Sequence, residues 1–215
     1  MKPNKLQIFL ICIAMLLILM LCSSKKYYAD FKRTKKQIDT LVLITPYVSV
    51  EYWKNKEFSK DNELEDRLGA LISSRSYTLL KEKYKLVDLM LHSDFVIQEE
   101  LKSLFASLEF SDKKSELQIP LFIQNIIKDN PDRYFLMVCF KGYYNAHFEP
   151  YHHLKQGVVV VNNTLYSSDM RILIFDNQKN IVVFYDKKYS KTTDPRIIDF
   201  IEQMTLDMLR PIYYK

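Results

Sequence analysis

Residues 134–144 read Tyr-Phe-Leu-Met-Val-Cys-Phe-Lys-Gly-Tyr-Tyr, and this run is the clearest structural signal in the chain. Apolar and aromatic residues follow one another without a break from Tyr134 to Phe140, which predicts a buried strand. Three further strands are predicted downstream, at 158–162, 165–175 and 181–189, the last two joined by a turn-rich segment. The carboxyl half of the chain is therefore expected to form most of a sheet.

The amino-terminal half of the domain predicts one strand and then helices. Residues 41–53 are rich in β-branched and aromatic residues, so they predict a strand in which Pro46 requires a bulge or an edge position. The charged segment 55–62 predicts a loop. Apolar residues then recur at helical spacing, which predicts a helix with Asp61 or Asn62 as its N-cap.

The chain between this helix and the long strand predicts two more helices. Residues 84–91 fit either a continuation of the first helix or a short strand. Ser93 or Asp94 is expected to cap the next helix, and Pro120 fits the first turn of the one after it. Helices therefore separate the first strand from the run of strands.

The domain is expected to close with a helix. Thr193 or Asp194 fits its N-cap, and Pro195 fits its first turn. Pro211 is expected to end it. The order of strand, helices, three or four strands and final helix predicts an α+β fold, with a single, mostly antiparallel sheet of four to five strands and helices packed against it. Residues 40–215 are interpreted as that single domain.

An apolar leader precedes the domain. Met1–Lys5 carries two lysines, and an apolar run interrupted only by Gln7 follows from Leu6 to Cys22. This pattern is typical of a bacterial export signal, and the run would be about 26 Å long as a helix. In one interpretation residues 1–22 are a lipoprotein signal peptide, and cleavage leaves Cys22 as a lipidated first residue. Two acyl chains on this cysteine would give stable membrane attachment.

In the other interpretation residues 1–22 remain as an uncleaved anchor helix. Residues 23–39 form a basic tether in either case, and their positive charge would favour a cytoplasmic domain if the helix is retained. Beside a lipid anchor, the same charges are expected either to contact anionic lipid headgroups or to form a solvated spacer. The residues concerned are Lys25, Lys26, Lys32, Arg33, Lys35 and Lys36.

Composition narrows the function classes. The chain has a net charge of +5, but much of the excess lies in residues 25–36. The domain itself is therefore near neutral and lacks the broad basic face of a nucleic-acid-binding protein. The three glycines, Gly69, Gly142 and Gly157, lie far apart, whereas nucleotide-binding loops need two or three close together. No cofactor is expected.

One loop of the carboxyl half concentrates imidazole and carboxylate groups. These groups are zinc ligands, although their spacing here matches no zinc signature. A polar surface loop is the alternative interpretation. The candidate metal ligands are His147, Glu149, His152 and His153.

Tyrosines crowd the same half of the chain. Exposed tyrosine is enriched at protein interfaces because it adds contact area at low entropic cost. Half-buried rings at sheet edges are the alternative. The candidate interface residues are Tyr143, Tyr144 and Tyr151. Cys139, within the predicted buried strand, is interpreted as a small apolar filler.

Several of these features resemble a group of bacterial envelope lipoproteins. The matched features are the signal ending at Cys22, a first strand with Thr45-Pro46, an amphipathic helix after it, and the strand–strand–helix ending. The group includes the outer-membrane activators of peptidoglycan synthases and the periplasmic part of the curli secretion lipoprotein, related in fold to the TolB amino-terminal domain. The resemblance implies a binding or assembly module without catalytic residues.

The sequence therefore predicts a non-catalytic, membrane-anchored lipoprotein of the Gram-negative cell envelope. Its domain is expected in the periplasm, with an envelope protein or glycan as partner. The alternative function is an envelope hydrolase or metal-dependent enzyme that uses the 147–153 loop. A cytoplasm-facing protein held by a signal anchor in the inner membrane is a third interpretation.

Overall fold

The computed structural model of the chain describes residues 26–27, 36, 38–89, 95–110, 119–128, 130–147 and 165–213. Within them a sheet of eight strands lies between two layers of helices. The strands are β1 (Lys26–Tyr27), β2 (Thr40–Ile44), β3 (Tyr47–Lys54), β4 (Glu57–Lys60), β5 (Lys85–Leu89), β6 (Tyr134–Asn145), β7 (Tyr166–Asp176) and β8 (Ile181–Ser190). The helices are α1 (Asn62–Leu80), α2 (Phe95–Phe110), α3 (Leu121–Ile127) and α4 (Ile198–Tyr213).

The sheet is mixed. Its strand order is β1-β8-β7-β6-β2-β5, and β3 continues the line of β2 beside β6 and pairs with β4 on its outer side. The strands β1, β8, β7 and β6 are antiparallel, whereas β2 and β3 run parallel to β6, and β5 runs parallel to β2. The predicted α+β class is confirmed, but the predicted number of four to five strands is wrong. Among the described strands, four pairs are antiparallel, and the three parallel pairs were not predicted. Parallel pairs arise because helices carry the chain back across the sheet before β5 and before β6.

The central strand β6 is buried on both faces. Leu136, Val138 and Phe140 belong to the hydrophobic cluster under α1 and α4, while Phe135 and Met137 belong to the cluster under α2 and α3. Because side chains alternate across a strand, a strand between two helical layers needs apolar residues at every position. The unbroken apolar run has this cause, and the predicted buried strand is confirmed.

The strands β2 and β3 are two halves of one long strand, interrupted at Thr45-Pro46. Val42 lies opposite Phe135 of β6, and Tyr47 lies opposite Cys139. Five steps along this strand therefore match four steps along β6, which is a β-bulge. The bulge that the proline predicted is confirmed.

The next elements match the sequence patterns in part. Asp61 is the N-cap of α1, as predicted, and its side chain accepts a hydrogen bond from the Leu64 N–H at 3.0 Å. The loop predicted at 55–62 is wrong, because four of its residues form β4, whose hydrogen bonds to β3 outweigh their polar character. The ambiguous segment 84–91 contains the strand β5.

The final helix begins later than predicted. Its first residue is Ile198 rather than Pro195, because the Asp194 side chain accepts a hydrogen bond from the Arg196 N–H at 3.0 Å and closes a separate turn. Pro211 lies inside the last turn of the helix instead of ending it. The predicted strand at 158–162 and the predicted caps Ser93 and Asp94 lie outside the described residues.

The chain before β2 also contacts the domain. Lys26 and Tyr27 pair with Tyr185 and Phe184 of β8, and Ile38 is buried in the core. Part of the segment predicted as a basic tether therefore belongs to the sheet. The leader 1–22 lies outside the described residues, and no helix among those described is long and apolar enough to cross a membrane.

Candidate functional site

Three aromatic side chains meet on one face of the sheet, at the end where β3 and β6 finish. The rings of Trp53 and Phe58 contact edge to face with 4.7 Å between their centroids, and Phe58 lies 6.1 Å from the ring of Tyr143. Phe58 is 64% exposed, so this group of rings is accessible to a partner. We call Trp53, Phe58 and Tyr143 the aromatic patch.

The hairpin of β3 and β4 positions two of these rings. Its two-residue turn consists of Asn55 and Lys56, whose φ values of 53° and 68° both lie in the left-handed region. A turn of this kind matches the twist of the flanking strands. It places Trp53 directly opposite Phe58, and side chains opposite each other across a hairpin share a face.

The strand β6 positions the third ring. Glu51 lies opposite Tyr143, which therefore shares a face with Trp53, two positions further along β3. The hydrophobic cluster under α2 and α3 reaches Tyr47 of β3 and Cys139 of β6, and its described members include none of the three patch residues. The patch therefore continues this face of the sheet beyond the cluster that the helices cover.

Hydrogen bonds and ring contacts hold the opposite face behind the patch. Tyr144 stacks on Tyr52 with 5.6 Å between ring centroids, and its hydroxyl donates to Asp61 Oδ2 at 2.6 Å. The same carboxylate caps α1, so it joins the start of this helix to the end of β6. The Arg196 guanidinium lies 4.5 Å from the centre of the Tyr144 ring. Burial, together with the hydrogen bond to Asp61, raises the pKa of Tyr144.

The structure separates the three predicted interface residues. Tyr143 belongs to the patch, and partial burial raises the pKa of its hydroxyl. Tyr144 is only 8% exposed and packs in the core with α1, so it supports the strands instead of adding contact area. Tyr151 lies outside the described residues.

Of the four predicted metal ligands, one lies within the described residues. His147 is exposed, and its backbone N–H donates to Asn145 Oδ1 at 3.0 Å. Glu149, His152 and His153 lie outside the described residues. In the part of the chain that the structure describes, no three His, Cys, Asp or Glu side chains are grouped to hold a metal ion. The metal site stays a prediction.

The predicted anchor residues lie mainly outside the described ranges. Lys36 is exposed, and Lys26 contributes its backbone to β1. The remainder, Cys22, Lys25, Lys32, Arg33 and Lys35, is not described. Lipid attachment and headgroup contact therefore stay predictions.

Cys139 lies in the interior of the sheet. Its side chain is buried in the cluster under α2 and α3. Burial raises the pKa of the thiol far above its usual range, so the thiol stays protonated at neutral pH. A protonated, buried thiol is a poor nucleophile, which agrees with the interpretation of Cys139 as apolar filler.

Sequence reasoning did not identify Trp53 and Phe58 as site residues. Phe58 is the single apolar residue in the charged segment 55–62, and Trp53 lies two positions before Asn55. Two aromatic residues that flank a two-residue turn containing asparagine indicate a cross-strand aromatic pair. This signal could have located the patch.

The chain matches no protein-family model and no curated protein. Among solved structures it is similar to the PelC dodecamer from Paraburkholderia phytofirmans, at 7% identity and a TM-score of 0.38 over 83% of this chain and 90% of that chain. It is also similar to the hypothetical protein CT253 from Chlamydia trachomatis, at 11% identity and a TM-score of 0.41 over 82% and 98% of the two chains. Lipoprotein GNA1162 from Neisseria meningitidis matches at 8% identity and a TM-score of 0.32, over 80% and 99%. Likenesses this weak carry no conclusion about function.

Proposed function

We propose that this chain is a membrane-anchored lipoprotein of the bacterial cell envelope whose domain binds another envelope protein through the aromatic patch. The observation that carries the proposal is the position of the patch, which lies across the sheet from the amino-terminal strand β1. Membrane attachment rests on the leader and Cys22, whereas binding rests on the patch. Each part has its own test.

With a lipid on Cys22, the strand β1 would lie on the membrane side of the domain. Lys26 follows Cys22 by four positions, and an extended chain spans about 3.3 to 3.6 Å per residue. A lipid on Cys22 would therefore hold the edge formed by β1 and β8 within about 14 Å of the bilayer. The basic residues of the tether would contact anionic headgroups, at about 1 kcal/mol each.

The patch lies toward the other edge of the sheet. From β1 the sheet passes through β8, β7, β6 and β3 to β4, and neighbouring strands are about 4.8 Å apart. The two strands of the hairpin that carries Trp53 and Phe58 are therefore about 19 and 24 Å from the anchored edge. A domain tethered in this way presents the patch away from the bilayer, toward other envelope components.

The chemistry of the patch favours a protein partner. Tryptophan and tyrosine dominate binding hot spots because their rings bury a large area with few rotatable bonds. Charged residues of both signs surround the rings: Glu51 and Lys60 lie opposite each other in the hairpin, and Lys141 precedes Tyr143 by two positions on β6. An apolar centre with a polar rim is typical of a protein–protein interface.

Site-specific photocrosslinking in living cells tests the binding surface. A benzophenone amino acid at position 58 is expected to form an adduct of one defined mass with an envelope protein. The same amino acid in place of Phe200, which is 40% exposed on α4, is the matched control and should give no such adduct. Adding Trp53→Ala should weaken the adduct at position 58 about fivefold, since it removes a neighbouring anchor ring.

The possible results of this experiment are distinct. Equal adducts at positions 58 and 200, or none at 58, would contradict the patch as the binding surface. An adduct of twice the mass of the chain would mean self-association in place of a second protein.

Metabolic labelling with palmitate tests the anchor. The full-length chain is expected to incorporate label, and Cys22→Ala should incorporate none. An unlabelled chain that stays in the membrane fraction would contradict lipidation and favour the signal anchor.

A further inference from the structure

The buried face of α1 contains one exception to its apolar pattern. Its buried residues recur every four positions as Leu64, Leu68, Ile72, Ser76 and Leu80. Ser76 is 3% exposed, and its hydroxyl has no hydrogen-bond partner among the described residues. An unpaired buried hydroxyl costs free energy, so such groups are rare in folded proteins.

A cavity of about 300 Å³ lies beside this serine. Its floor consists of apolar side chains of β2 and β6, including Leu43 and Leu136. Hydroxyl-bearing residues of α1 line the opposite wall, among them Ser73 and Ser76. The volume is at the small end of the range of ligand pockets, about 300 to 1,000 Å³.

The bulge at Thr45-Pro46 contributes to this cavity. Both of its residues line the space, and the Thr45 N–H donates to the Leu89 carbonyl at 3.0 Å, where β5 ends. The cavity thus lies at the carboxyl ends of the parallel strands β2 and β5. Sheets with parallel strands commonly bind ligands at this end.

The sequence of α1 favours a binding role over a packing defect. Residues 73–78 read Ser-Ser-Arg-Ser-Tyr-Thr, and serine and threonine are weaker helix formers than leucine or alanine. A leucine at position 76 would continue the apolar pattern and fill part of the space. Small polar residues here lower the helix propensity of α1 and leave part of the core unfilled. A bound ligand would supply the missing contacts and hydrogen bonds.

We propose that this cavity binds the ring of an uncharged sugar. None of the lining residues that the structure describes is Lys, Arg or His, and one of them, Asp88, is an acid that would repel an anionic ligand. The carbon face of a pyranose ring can pack on the apolar floor, and its hydroxyls can bond to Ser73, Ser76 and the Asp88 carboxylate at the rim. Tyr77 lies at the same opening and adds an aromatic surface.

Isothermal titration with the full chain tests this proposal. The chain is kept in a detergent with a phosphocholine headgroup, because sugar-headed detergents would compete. The probes are glucose and N-acetylglucosamine, with glucuronate as the anionic comparison. Saturable binding of a neutral sugar is expected, with much weaker binding of glucuronate.

Three variants locate the binding. Ser76→Leu is expected to abolish it by filling the cavity, and Ser76→Ala and Asp88→Ala should each weaken it about tenfold by removing one hydrogen bond. Ser107→Ala removes an exposed helical serine hydroxyl on α2 and is the matched control, with unchanged binding expected. The melting temperature of each variant shows whether it folds, and the Asp88 variant keeps the test valid if the leucine is not accommodated.

The results separate this site from the aromatic patch. Phe58→Ala should bind the sugar as the original chain does, since Phe58 does not line the cavity. No binding of either neutral sugar, equal binding of glucuronate, or binding that survives Ser76→Leu would each overturn the proposal.

Discussion

The two halves of the strand that runs from residue 40 to residue 54 share a neighbour, β6, but differ in what covers them. The first half, β2, is buried on both faces, with Leu41 and Leu43 in the cluster under α1 and α4 and Val42 in the cluster under α2 and α3. The second half, β3, is also covered by α1 and α4 on one face. Its other face carries the exposed Glu51 and the partly exposed Trp53.

One continuous strand can therefore stabilise the core along its first half and present an exposed binding surface along its second half. Apolar side chains buried on both faces stabilise the domain at β2, because each removes its full surface from water. At β3 the side chains of one face remain available to a partner. The bulge at Thr45-Pro46 marks the transition, and the cavity lies at the same place.

The largest expected contrast is between Phe135, which lies opposite β2, and Phe58 of the patch. Phe135 is fully buried, so Phe135→Ala should reduce the free energy of unfolding by about 3–5 kcal/mol through cavity formation. Phe58→Ala should reduce it by at most about 1 kcal/mol, because the exposed ring loses only its contacts with Trp53 and Tyr143. Urea denaturation measures both. Similar losses would contradict the division between the two halves.

The second largest effect is expected at alkaline pH, which should lower the free energy of unfolding through two tyrosines that the helices cover. Burial raises the pKa of Tyr47 and Tyr84 to about 12, whereas unfolded tyrosine has a pKa of about 10. The folded chain therefore holds these protons more tightly. Their contribution to stability is complete below about pH 10 and is lost as the pH rises toward about 12. Urea denaturation across this interval checks the decline.

A variant identifies the residue responsible. The Tyr84 hydroxyl donates to the Ile212 carbonyl at 2.8 Å, and Tyr84→Phe removes the titrating group while keeping the ring. The decline between pH 10 and 12 should become shallower in this variant. An unchanged slope would mean that Tyr84 does not contribute.

Substitutions of Asp61 and Tyr144, which lie behind the patch, should have an intermediate effect on the free energy of unfolding. Asp61→Ala removes the cap of α1 and the acceptor of the Tyr144 hydroxyl, for an expected loss of about 2 kcal/mol. Tyr144→Phe removes only the second bond and should cost about 1 kcal/mol. The double variant should lose less than the sum, because both changes remove the same hydrogen bond. Additive losses in urea denaturation would contradict this pairing.

The smallest expected effect is at the hairpin turn. Lys56 has a φ of 68°, a conformation that costs a side-chain-bearing residue about 1 kcal/mol. Lys56→Gly creates the favoured Asn-Gly turn and should stabilise the domain by about 0.5 kcal/mol. Asn180→Gly, at a φ of 56° in the turn between β7 and β8, is the control and should gain less, since asparagine tolerates this region. A loss of stability at position 56 would contradict the turn.

The local elements of this protein follow from short stretches of its sequence. The buried strand at 134–144, the cap at Asp61 and the bulge at Pro46 follow from side-chain periodicity and from the chemistry of single residues. These properties act between neighbouring positions, so they can be deduced from the order of residues alone. Tyr143 was likewise predicted as an interface residue from its residue type.

The way in which these elements combine depends on contacts between distant parts of the chain. Val42 lies opposite Phe135, and Tyr143 lies beside the Trp53–Phe58 pair, although no local pattern links β2 or the hairpin to residues so distant in the chain. The burial of Tyr144, the cavity at Ser76 and the mixed order of the sheet depend on which faces the helices cover. That choice is made by the packing of all the apolar surfaces together, which is why no local segment of the sequence contains it.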